Sequence, residues 1–488
     1  MSRLWKVITV VMVILCLAVS AGILYGKIAL EQRILTMVNG THISVLGVPT
    51  VLTVARAGVN PLTGIISLDD VHFSVPSEGT LYARNITAYG IPGKFILAFA
   101  GMGRIDQEDV YIPHVVVNES SIEDKERFVI TFEKMVFFET FIRTAFIESI
   151  LRGEAFDASR LEGDIVARGF ELAGVQLQQK DLGQPGHVLA EFGKISSQDC
   201  AEGHIGNLMV EHFSTAFDEN RIDVGAFNIR NFNVPDFQKI ADMAAPQNYE
   251  KILTSVNGRE LLDIFFFGEE PLFDHVSLAG VICHAGSVTL SLDLLETYVD
   301  QTKKIGTNLR GLKIVGLHEE GIRLPAELMI NADFIANYAG ADLVSDSLVE
   351  VPDFGRFSYH GVQRGNLLEF SDMTFAYEDH GGLAWVVSNL VDSVDELQTS
   401  LKSMTQLALA EHGEHPETLE VWQGIQSFIE HPGVIAISTR PGAAVSMDNV
   451  QLVFSNPGHW LTVSVEKGTR PLVDQVADIY AQWNETHK

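Results

Sequence analysis

The stretch ISLDDVHFSV, residues 66–75, indicates the fold of this 488-residue chain. Apolar and polar residues alternate on each side of Asp70, which is typical of a β-strand with one buried face. Across Asp70, however, Leu68 and Val71 lie three positions apart, so the alternation shifts by one residue. A β-bulge produces such a shift, and Asp, Asn and Gly tolerate its backbone geometry. The stretch therefore predicts a strand that bends at Asp70 and keeps the same face buried.

The same pattern, in which a short polar residue or glycine interrupts the apolar alternation, recurs along the chain. Its special residue is Asp70, Asn85, Gly174, Asn231, His275, Gly311, Asp372 or Asn449. The copies LEFSDMTFAY (368–377) and VSMDNVQLVF (445–454) align with residues 66–75 position by position. Because the spacing between copies is irregular, a solenoid of fixed period is disfavoured. The repeats predict large, twisted antiparallel sheets with frequent bulges.

Helices are predicted as insertions between these strands, so the expected fold class is mainly β, a β-rich α+β arrangement. Strands outside the repeated pattern are predicted at 287–295, where Val288, Leu290, Leu292 and Leu294 alternate, at 221–227 and at 322–324. Helices are predicted at Ile28–Val38, Phe138–Leu151, Pro235–Met243, Gln247–Asn257, Ser393–His412, Glu417–Glu430 and Asp474–Trp483. The Phe138–Leu151 helix depends on Phe138, Ile142, Phe146 and Ile150, which are four residues apart.

The N-terminus carries an uncharged run at residues 7–25, VITVVMVILCLAVSAGILY. Nineteen helical residues span about 28 Å, close to the roughly 30 Å hydrocarbon thickness of a bilayer. This length favours a transmembrane anchor, although Val19-Ser20-Ala21 would also suit a signal-peptide cleavage site. The positive charges of Arg3 and Lys6 favour a cytoplasmic N-terminus. We therefore expect a single-pass inner-membrane protein with its C-terminal part in the periplasm.

The expected organisation places six regions behind one another. They are an anchor or signal peptide at 1–26, a juxtamembrane helix and linker at 27–62, a first β-rich region with a helical insertion at 63–245, a second β-rich region at 246–382, a helical hairpin at 383–432, and C-terminal strands with a helix at 433–488.

The formal charge of −29 argues against nucleic acid as a partner, since binding to a polyphosphate requires a basic face. Setting aside the two positive charges of Arg3 and Lys6 leaves −31 on the remainder. Such a region is also not expected to lie flat on anionic headgroups. Three cysteines are too few for a disulfide framework, although Cys200 and Cys283 could form one bond in an oxidising compartment.

Residues that carry chemistry are few, and the sequence predicts no catalytic, cofactor-binding or metal-binding residue. It contains no P-loop, dinucleotide fingerprint, nucleophile elbow or zinc-protease helix. The run EHGEHPE at 411–417 has metal-ligand residue types, but Gly413 and Pro416 favour a solvated turn between two helices. His360, His380 and the Glu378-Asp379 pair form a weaker candidate for a metal site.

A family resemblance is carried by two segments, ISLDDVHFSVPSEGTLYARNITAYGI (66–91) and AISTRPGAAVSMDNVQLVF (436–454). Together with an N-terminal anchor, their repeated Leu-x-Asn/Asp-Val-x-Leu pattern resembles the sequences of AsmA-like proteins of Gram-negative envelopes. The resemblance implies an inner-membrane anchor and a twisted periplasmic β-groove associated with lipid transport and outer-membrane maintenance. Residues 383–432 depart from the pattern, and the chain equally resembles anchored β-rich proteins of alphaproteobacterial type, so no residue roles are carried over.

Two functional hypotheses follow from these patterns. In the first, a non-enzymatic envelope protein binds phospholipid acyl chains in an apolar β-groove lined by residues such as Val288, Leu290 and Leu292. In the second, an anchored scaffold uses exposed sheet edges to contact envelope proteins and has no small-molecule ligand. A hydrolase has no motif in its favour. Whether residues 383–432 and the other predicted helices cover the apolar face of the sheet discriminates the first two hypotheses.

Overall fold

A computed structural model describes residues 42–486 with gaps, together with Gln32, Leu35 and Asn39. Within that range it does not describe residues 46–47, 61–62, 76–78, 93–108, 125–127, 146–164, 182–183, 202, 218–219, 234–265, 267–270, 301, 317–324, 326, 341, 365–368, 413–414 and 447–449. The predicted span at 7–25, the helices predicted at Pro235–Met243 and Gln247–Asn257, and the strand predicted at 322–324 lie outside the described residues. Of the helix predicted at Ile28–Val38, the structure describes Gln32 and Leu35, both of which are helical.

The described part of the chain is mainly β, with 67% of its residues in strands, which confirms the predicted fold class at that level. It divides into two compact units. Unit 1 contains residues up to Asp218 and Asp223–Val234, and unit 2 contains Glu219–Ile222 and Pro235–Lys488. Each described helix is too short or too polar to cross a membrane.

Unit 1 is an antiparallel meander in which each strand pairs with the next one along the chain. Its strands are β1 (His42–Val45), β2 (Val48–Asn60), β3 (Ile65–Val75), β4 (Gly79–Tyr89), β5 (Asp109–Asp124), β6 (Phe128–Arg143), β7 (Ile165–Asp181), β8 (Gln184–Ala201), β9 (His204–Phe217) and β10 (Asn220–Asn233).

The predicted interruption at Asp70 is confirmed, and it belongs to a row that crosses the sheet. We call this row the bulge row. The register is the same on both sides of Asp70, where Asp69 pairs with Asn85 and Val71 pairs with Ala83. Strands β3 and β4 therefore each carry one extra residue at the same level, Asp70 and Arg84. The bulge row contains Ala55 on β2, Asp70 on β3, Arg84 on β4, Glu119 on β5, Glu133 on β6, Gly174 on β7, Gly193 on β8 and His212 on β9.

Left-handed backbone occurs on every second strand of the bulge row. The φ angles are 52° at Asp70, 45° at Glu119, 58° at Gly174 and 54° at His212. A left-handed residue turns the strand without ending it, and the neighbouring strands turn at the same level, so the antiparallel pairing continues on both sides. The bulge row is therefore one bend shared by eight strands, β2 to β9.

Burial follows the shifted alternation. On β3 the side chains of Ile66, Leu68, Val71 and Phe73 are all 1% exposed or less, although Leu68 and Val71 are three positions apart. The bend thus returns the apolar side chains to the face they occupied before it, as the sequence predicts. Burying each such side chain contributes about 1.5–3 kcal/mol before conformational entropy is subtracted.

Unit 2 continues the meander style with ten strands in its described residues. They are β11 (His275–Ala285), β12 (Val288–Val299), β13 (Ile305–Val315), β14 (Glu327–Ala339), β15 (Asp342–Val351), β16 (Gly355–Arg364), β17 (Glu369–Asp379), β18 (Val434–Thr439), β19 (Ala444–Ser446) and β20 (Leu461–Glu466). Strands β11 to β17 pair in chain order, β17 also pairs with β18 and β19, and β18 pairs with β20.

Six helices with defined bounds follow β17. They are α1 (Gly382–Leu390), α2 (Val394–His412), α3 (Pro416–Glu430), α4 (Val450–Ser455), α5 (Pro457–Trp460) and α6 (Leu472–Thr486). Helices α2, α3 and α6 confirm the predictions at Ser393–His412, Glu417–Glu430 and Asp474–Trp483. A capping arrangement starts α2, because Ser393 Oγ accepts from the Glu396 amide at 3.2 Å and Glu396 Oε2 accepts from the Asp392 amide at 2.7 Å.

Helices α1, α2 and α6 form a small core of their own. Its buried members are Ala384 of α1, Leu397 of α2, and Leu472, Val476 and Ile479 of α6. Helix α3 instead packs on strands, with Gly424 set directly against the Val463 side chain of β20. The helical segment is therefore organised at the end of the unit 2 sheet that holds β18 and β20.

Two of the predicted elements differ from the structure. The helix expected at Phe138–Leu151 is wrong as far as Arg143, which ends strand β6, whereas Thr144 and Ala145 are helical and residues 146–164 lie outside the described part. The strand expected at 445–454 ends at Ser446, and α4 begins at Val450. Strand β19 is thus only three residues long, and the second half of the expected strand is helical.

The special residues of the repeated pattern, each predicted to interrupt its strand, do not all have left-handed backbone. Asn231, Gly311 and Asp372 have left-handed φ angles of 52°, 61° and 49°, as do Asp70 and Gly174. Asn85 instead forms regular pairs with Asp69 and Asn118, and the left-handed residues lie on the strands beside it. His275 begins β11, and the left-handed residue of that strand is Gly280, with φ 63°. Asn449 lies outside the described residues.

Candidate functional site

An open apolar cleft lies on one face of the unit 2 sheet and has a volume of about 590 Å³. We call it the β13–β17 cleft. Its walls are Phe266, Ile305, Thr307, Phe334, Ala336, Leu343, Ser345, Ser347, Tyr359, Gln363, Phe370, Met373 and Phe375. None of these thirteen side chains carries a charge. The volume falls within the range of about 300–1,000 Å³ that is usual for small-molecule sites.

Strand pairing explains how residues so far apart in sequence form one surface. Phe334 on β14 pairs with Ser347 on β15, which pairs with Tyr359 on β16, which pairs with Phe375 on β17. Paired residues of an antiparallel sheet point to the same face. This row of four therefore crosses the floor of the cleft. Since side chains alternate along each strand, the residues two positions before and after them also face the cleft.

Aromatic side chains stand on this face with much of their surface in water. Phe334 is 39% exposed, and Phe375 and Phe357 are each 50% exposed. The rings of Tyr359 and Phe375 lie 4.8 Å apart, and those of Phe357 and Tyr377 lie 4.4 Å apart. Ordered, partly exposed aromatic rings on a concave surface are typical of a site that becomes covered by a ligand or a partner.

Both ends of the apolar face are occupied by protein. At one end Phe266 packs against the buried cluster of Ile305, Ala336 and Leu343. At the other end Phe428 of α3 lies edge-on to Tyr377, with ring centroids 5.9 Å apart. The helical segment therefore covers the face at β18 and β20 and leaves the β13–β17 cleft open. The other helices that the sequence predicts as possible covers, Pro235–Met243 and Gln247–Asn257, lie outside the described residues.

No protein-family model matches this chain. None of the curated proteins matches it either.

The opposite face of the same strands is polar and carries ion pairs. Arg310 on β13 pairs with Asp333 on β14 at 2.5 Å, and Lys313 pairs with Glu327 at 2.7 Å. His360 on β16 lies 2.7 Å from Asp346 on β15. The sheet is thus amphipathic, because the same strands present charges on one side and the uncharged cleft on the other.

The sequence did not identify the residues of this cleft. Val288, Leu290 and Leu292, which we expected to line a groove, lie on β12 and outside the lining of the cleft. Phe370 and Phe375 flank the predicted bulge at Asp372, so that pattern marked one wall. The remaining walls follow from strand register, which the sequence does not reveal.

The weaker sequence candidates separate into local pairs. His360 pairs with Asp346, whereas His380 Nε2 lies 3.4 Å from Glu378 Oε1. His412 ends α2 and His415 precedes α3, as expected for a turn between two helices. Within the described residues, no three His, Cys, Asp or Glu side chains converge as metal ligands.

The two cysteines of the described chain are free thiols, so the single disulfide considered from sequence is not formed. Burial raises the pKa of the Cys200 thiol, against a smaller opposing effect of the hydrogen bond with Ser197 Oγ at 2.6 Å. Thiolate is the reactive form of cysteine, so this environment favours an unreactive side chain.

A second, polar hollow of about 420 Å³ lies beside the start of α1 and includes Asp379, Gly433 and Arg470. Its central carboxylate is already used, because Asp379 Oδ1 accepts from the Leu383 amide at 2.8 Å and Oδ2 accepts from the Gly381 amide at 3.1 Å. Burial, together with Asp379, raises the pKa of Tyr377. These contacts hold the β17–α1 connection, and they identify this hollow as structural.

Proposed function

We propose that this protein is a membrane-anchored, non-enzymatic periplasmic protein of the AsmA-like type that binds lipid acyl chains in the β13–β17 cleft during envelope maintenance. The observation that carries the proposal is the cleft itself, an open volume of about 590 Å³ whose described lining residues are all uncharged. Its exposed rings at Phe334 and Phe375 offer apolar surface that a hydrocarbon chain would remove from water.

The energetics suit a long chain better than a small apolar solute. Each buried methylene contributes about 0.8 kcal/mol, so ten of them contribute about 8 kcal/mol. Association costs at least about 4 kcal/mol in lost translational and rotational freedom. A short ligand would not offset that cost in an open cleft, whereas an acyl chain would.

The remainder of the chain fits a role next to a membrane. The uncharged run at residues 7–25 would anchor the protein, and the −31 charge of the remainder would hold the sheets away from anionic headgroups. Lipid would then enter through an apolar surface, which the cleft offers. The polar face with Arg310–Asp333 and Lys313–Glu327 would remain in water.

The test is photo-crosslinking of the full chain in vesicles that contain phosphatidylcholine with a diazirine in its acyl chain. We expect labelled peptides from the cleft strands, above all those with Phe334, Tyr359 and Phe375. The variants Phe334→Asp and Phe375→Asp should lower cleft labelling severalfold, because a carboxylate in the cleft opposes entry of hydrocarbon.

Phe217→Asp is the matched control, because Phe217 is a 57% exposed phenylalanine on β9 of unit 1. It should leave labelling of the cleft unchanged. Labelling confined to residues 7–25, or equal labelling in all variants, would contradict acyl-chain binding. Protein crosslinks along sheet edges without lipid labelling of the cleft would support the scaffold hypothesis instead.

A further inference from the structure

The floor of the β13–β17 cleft contains a cluster of uncharged polar groups around Gly361 of β16. Gly361 pairs with Ser345, and two residues further along the strands Gln363 pairs with Leu343. Directly paired residues lie about 5 Å apart, and same-face neighbours on one strand lie about 7 Å apart. Ser345, Tyr359 and Gln363, which all line the cleft, are therefore grouped within one strand pair. We call these three the Gly361 cluster.

Glycine at position 361 places the hydroxyl of Tyr359. An added Cβ at Gly361 would lie 2.6 Å from Tyr359 Cζ and would also collide with the hydroxyl. The Tyr359 side chain therefore lies over Gly361, the residue that pairs with Ser345. A side chain at position 361 would displace the Tyr359 side chain.

The hydrogen-bonding capacity of the Gly361 cluster is unused. Ser345 is 3% exposed, yet its hydroxyl forms no hydrogen bond within the described part of the chain, and the same holds for the side chains of Tyr359 and Gln363. Thr307, by contrast, bonds to Thr297 at 3.1 Å. Since these three side chains line the cleft with hydrogen-bond donors and acceptors to spare, the cluster is suited to a ligand that supplies the partners.

Charge limits what that ligand is. All thirteen lining side chains are uncharged. The nearby charged side chains lie on the polar face, where His360 pairs with Asp346 and Arg364 pairs with carboxylates of β15 and β17. A phosphate or carboxylate drawn to the floor of the cleft would lose water without gaining a cation. A hydroxyl or an ester would lose less and would find both donors and acceptors.

We propose that the β13–β17 cleft selects lipids with an uncharged polar end, of the acylglycerol class, and binds that end at the Gly361 cluster. The inference rests on the proposed acyl-chain binding and names its ligand class. A charged phospholipid would place only its chain in the cleft and keep its headgroup outside.

The experiment compares two lipids that differ by one phosphate, 1-palmitoylglycerol and its 3-phosphate, as competitors of cleft photo-labelling on the full chain. We expect the uncharged lipid to compete at about tenfold lower concentration. Tyr359→Phe and Ser345→Ala should each weaken its competition about three- to tenfold, the usual effect of one lost hydrogen bond. Neither variant should alter competition by the phosphate.

Two further variants complete the design. Ser358→Ala is the control, because Ser358 lies on the same strand and is exposed outside the cleft lining. It should leave the competition by both lipids unchanged. Gln363→Arg would place a cation in the cluster and should narrow or reverse the preference.

The outcomes separate the two proposals. If the cleft is labelled but both lipids compete equally, or the phosphate competes better, selection of uncharged lipids is wrong and acyl-chain binding stands. If the cleft is not labelled at all, acyl-chain binding is wrong and this inference fails with it.

Discussion

Arg84 on β4 donates to both carboxylate oxygens of Glu119 on β5, with its Nη1 2.7 Å from each. The two side chains are each 62% exposed, so water screens their ion pair and it contributes little to stability. The backbone of Glu119 is left-handed, with φ 45°, which costs an ordinary residue about 1–2 kcal/mol and a β-branched residue more. The bend of the bulge row at this point is therefore a backbone feature that the ion pair only accompanies.

The first prediction concerns the order of two substitutions at this position. Glu119→Gly should leave the urea midpoint of unfolding nearly unchanged, because relief of strain offsets the lost pair. Glu119→Val should be less stable than Glu119→Gly by about 2 kcal/mol. At Glu191, an exposed residue of β8 that accepts from Gln176 at 3.1 Å, the order should reverse, since valine is favoured in a regular strand. Valine at 119 as stable as glycine would refute the argument.

Gly311 permits a second test, which separates strain from collision. Its φ is 61°, and an added Cβ would run into the Asp293 carboxylate of β12. Gly340 has φ 71° but open space where its Cβ would be. Gly340→Ala should cost about 1 kcal/mol from strain alone, and Gly311→Ala should cost about 2–3 kcal/mol. Denaturant unfolding of both variants measures the difference, and equal costs would show that Asp293 moves freely.

The third prediction concerns the start of α1. Asp379 accepts from the Leu383 and Gly381 amides and from the Tyr377 hydroxyl at 2.8 Å. Asp379→Ala removes all three acceptor contacts and should cost about 1–3 kcal/mol, whereas Asp379→Asn keeps part of them and should cost less. Thermal unfolding checks this order. Asp392→Ala, just before α2, is the control with little expected effect, and an equal loss in both alanine variants would contradict the capping role.

The fourth prediction concerns acid. The Asn308 amide donates to Glu296 Oε1 at 2.8 Å and, with His275 beside it, lowers the pKa of Glu296. A carboxylate whose pKa is lower in the folded state stabilises the fold above its unfolded pKa, about 4.3, and loses that contribution as pH falls through the folded pKa. The stability gap between the natural protein and Glu296→Gln should therefore be largest near neutral pH and shrink below about pH 4.3.

The background variant Asn308→Ala gives the control for this titration. In that background the gap between glutamate and glutamine at position 296 should be smaller and should depend less on pH. A gap that stays constant from pH 7 to pH 3 would show that Glu296 contributes through packing and not through its charge.

Much of the fold followed from sequence because a bend leaves a visible mark. At Asp70, Gly174 and Gly311 the apolar spacing of three coincides with a residue that tolerates left-handed backbone. Glu119 and Glu139 escaped notice, since glutamate has no such preference, although both have left-handed φ angles of 45° and 47°. Gly280 also fits the pattern, because the apolar residues Leu278 and Val281 lie three positions apart across it. The left-handed residue of β11 is therefore Gly280, whereas the predicted one was His275.

The wrong helix at Phe138–Leu151 has the same physical origin. Strand β6 contains the left-handed Glu139, which shifts the alternation, so Thr140 and Ile142 become buried after Met135 and Val136. A strand with a shift in its period of two presents apolar residues three and four positions apart. That spacing is also the helical one, and a single sequence does not distinguish the two.

The cleft could not be predicted for a different reason. Phe334 and Phe375 are forty-one residues apart and meet through two intervening strands whose register sets which side chains are neighbours. A slip of one residue in any pair would turn a wall of the cleft to the polar face. The polar Gly361 cluster depends on the same register, so only the paired strands reveal it.

The bulge row also determines how such a sheet can change in size. Left-handed residues occupy β3, β5, β7 and β9, and the strands between them carry the matching extra residue. Removing a single strand would place two strands with a left-handed residue, or two strands without one, side by side. Removing or copying a whole hairpin preserves the alternation between the two kinds of strand. The β-hairpin, and not the strand, is therefore the module by which this architecture could be lengthened or shortened.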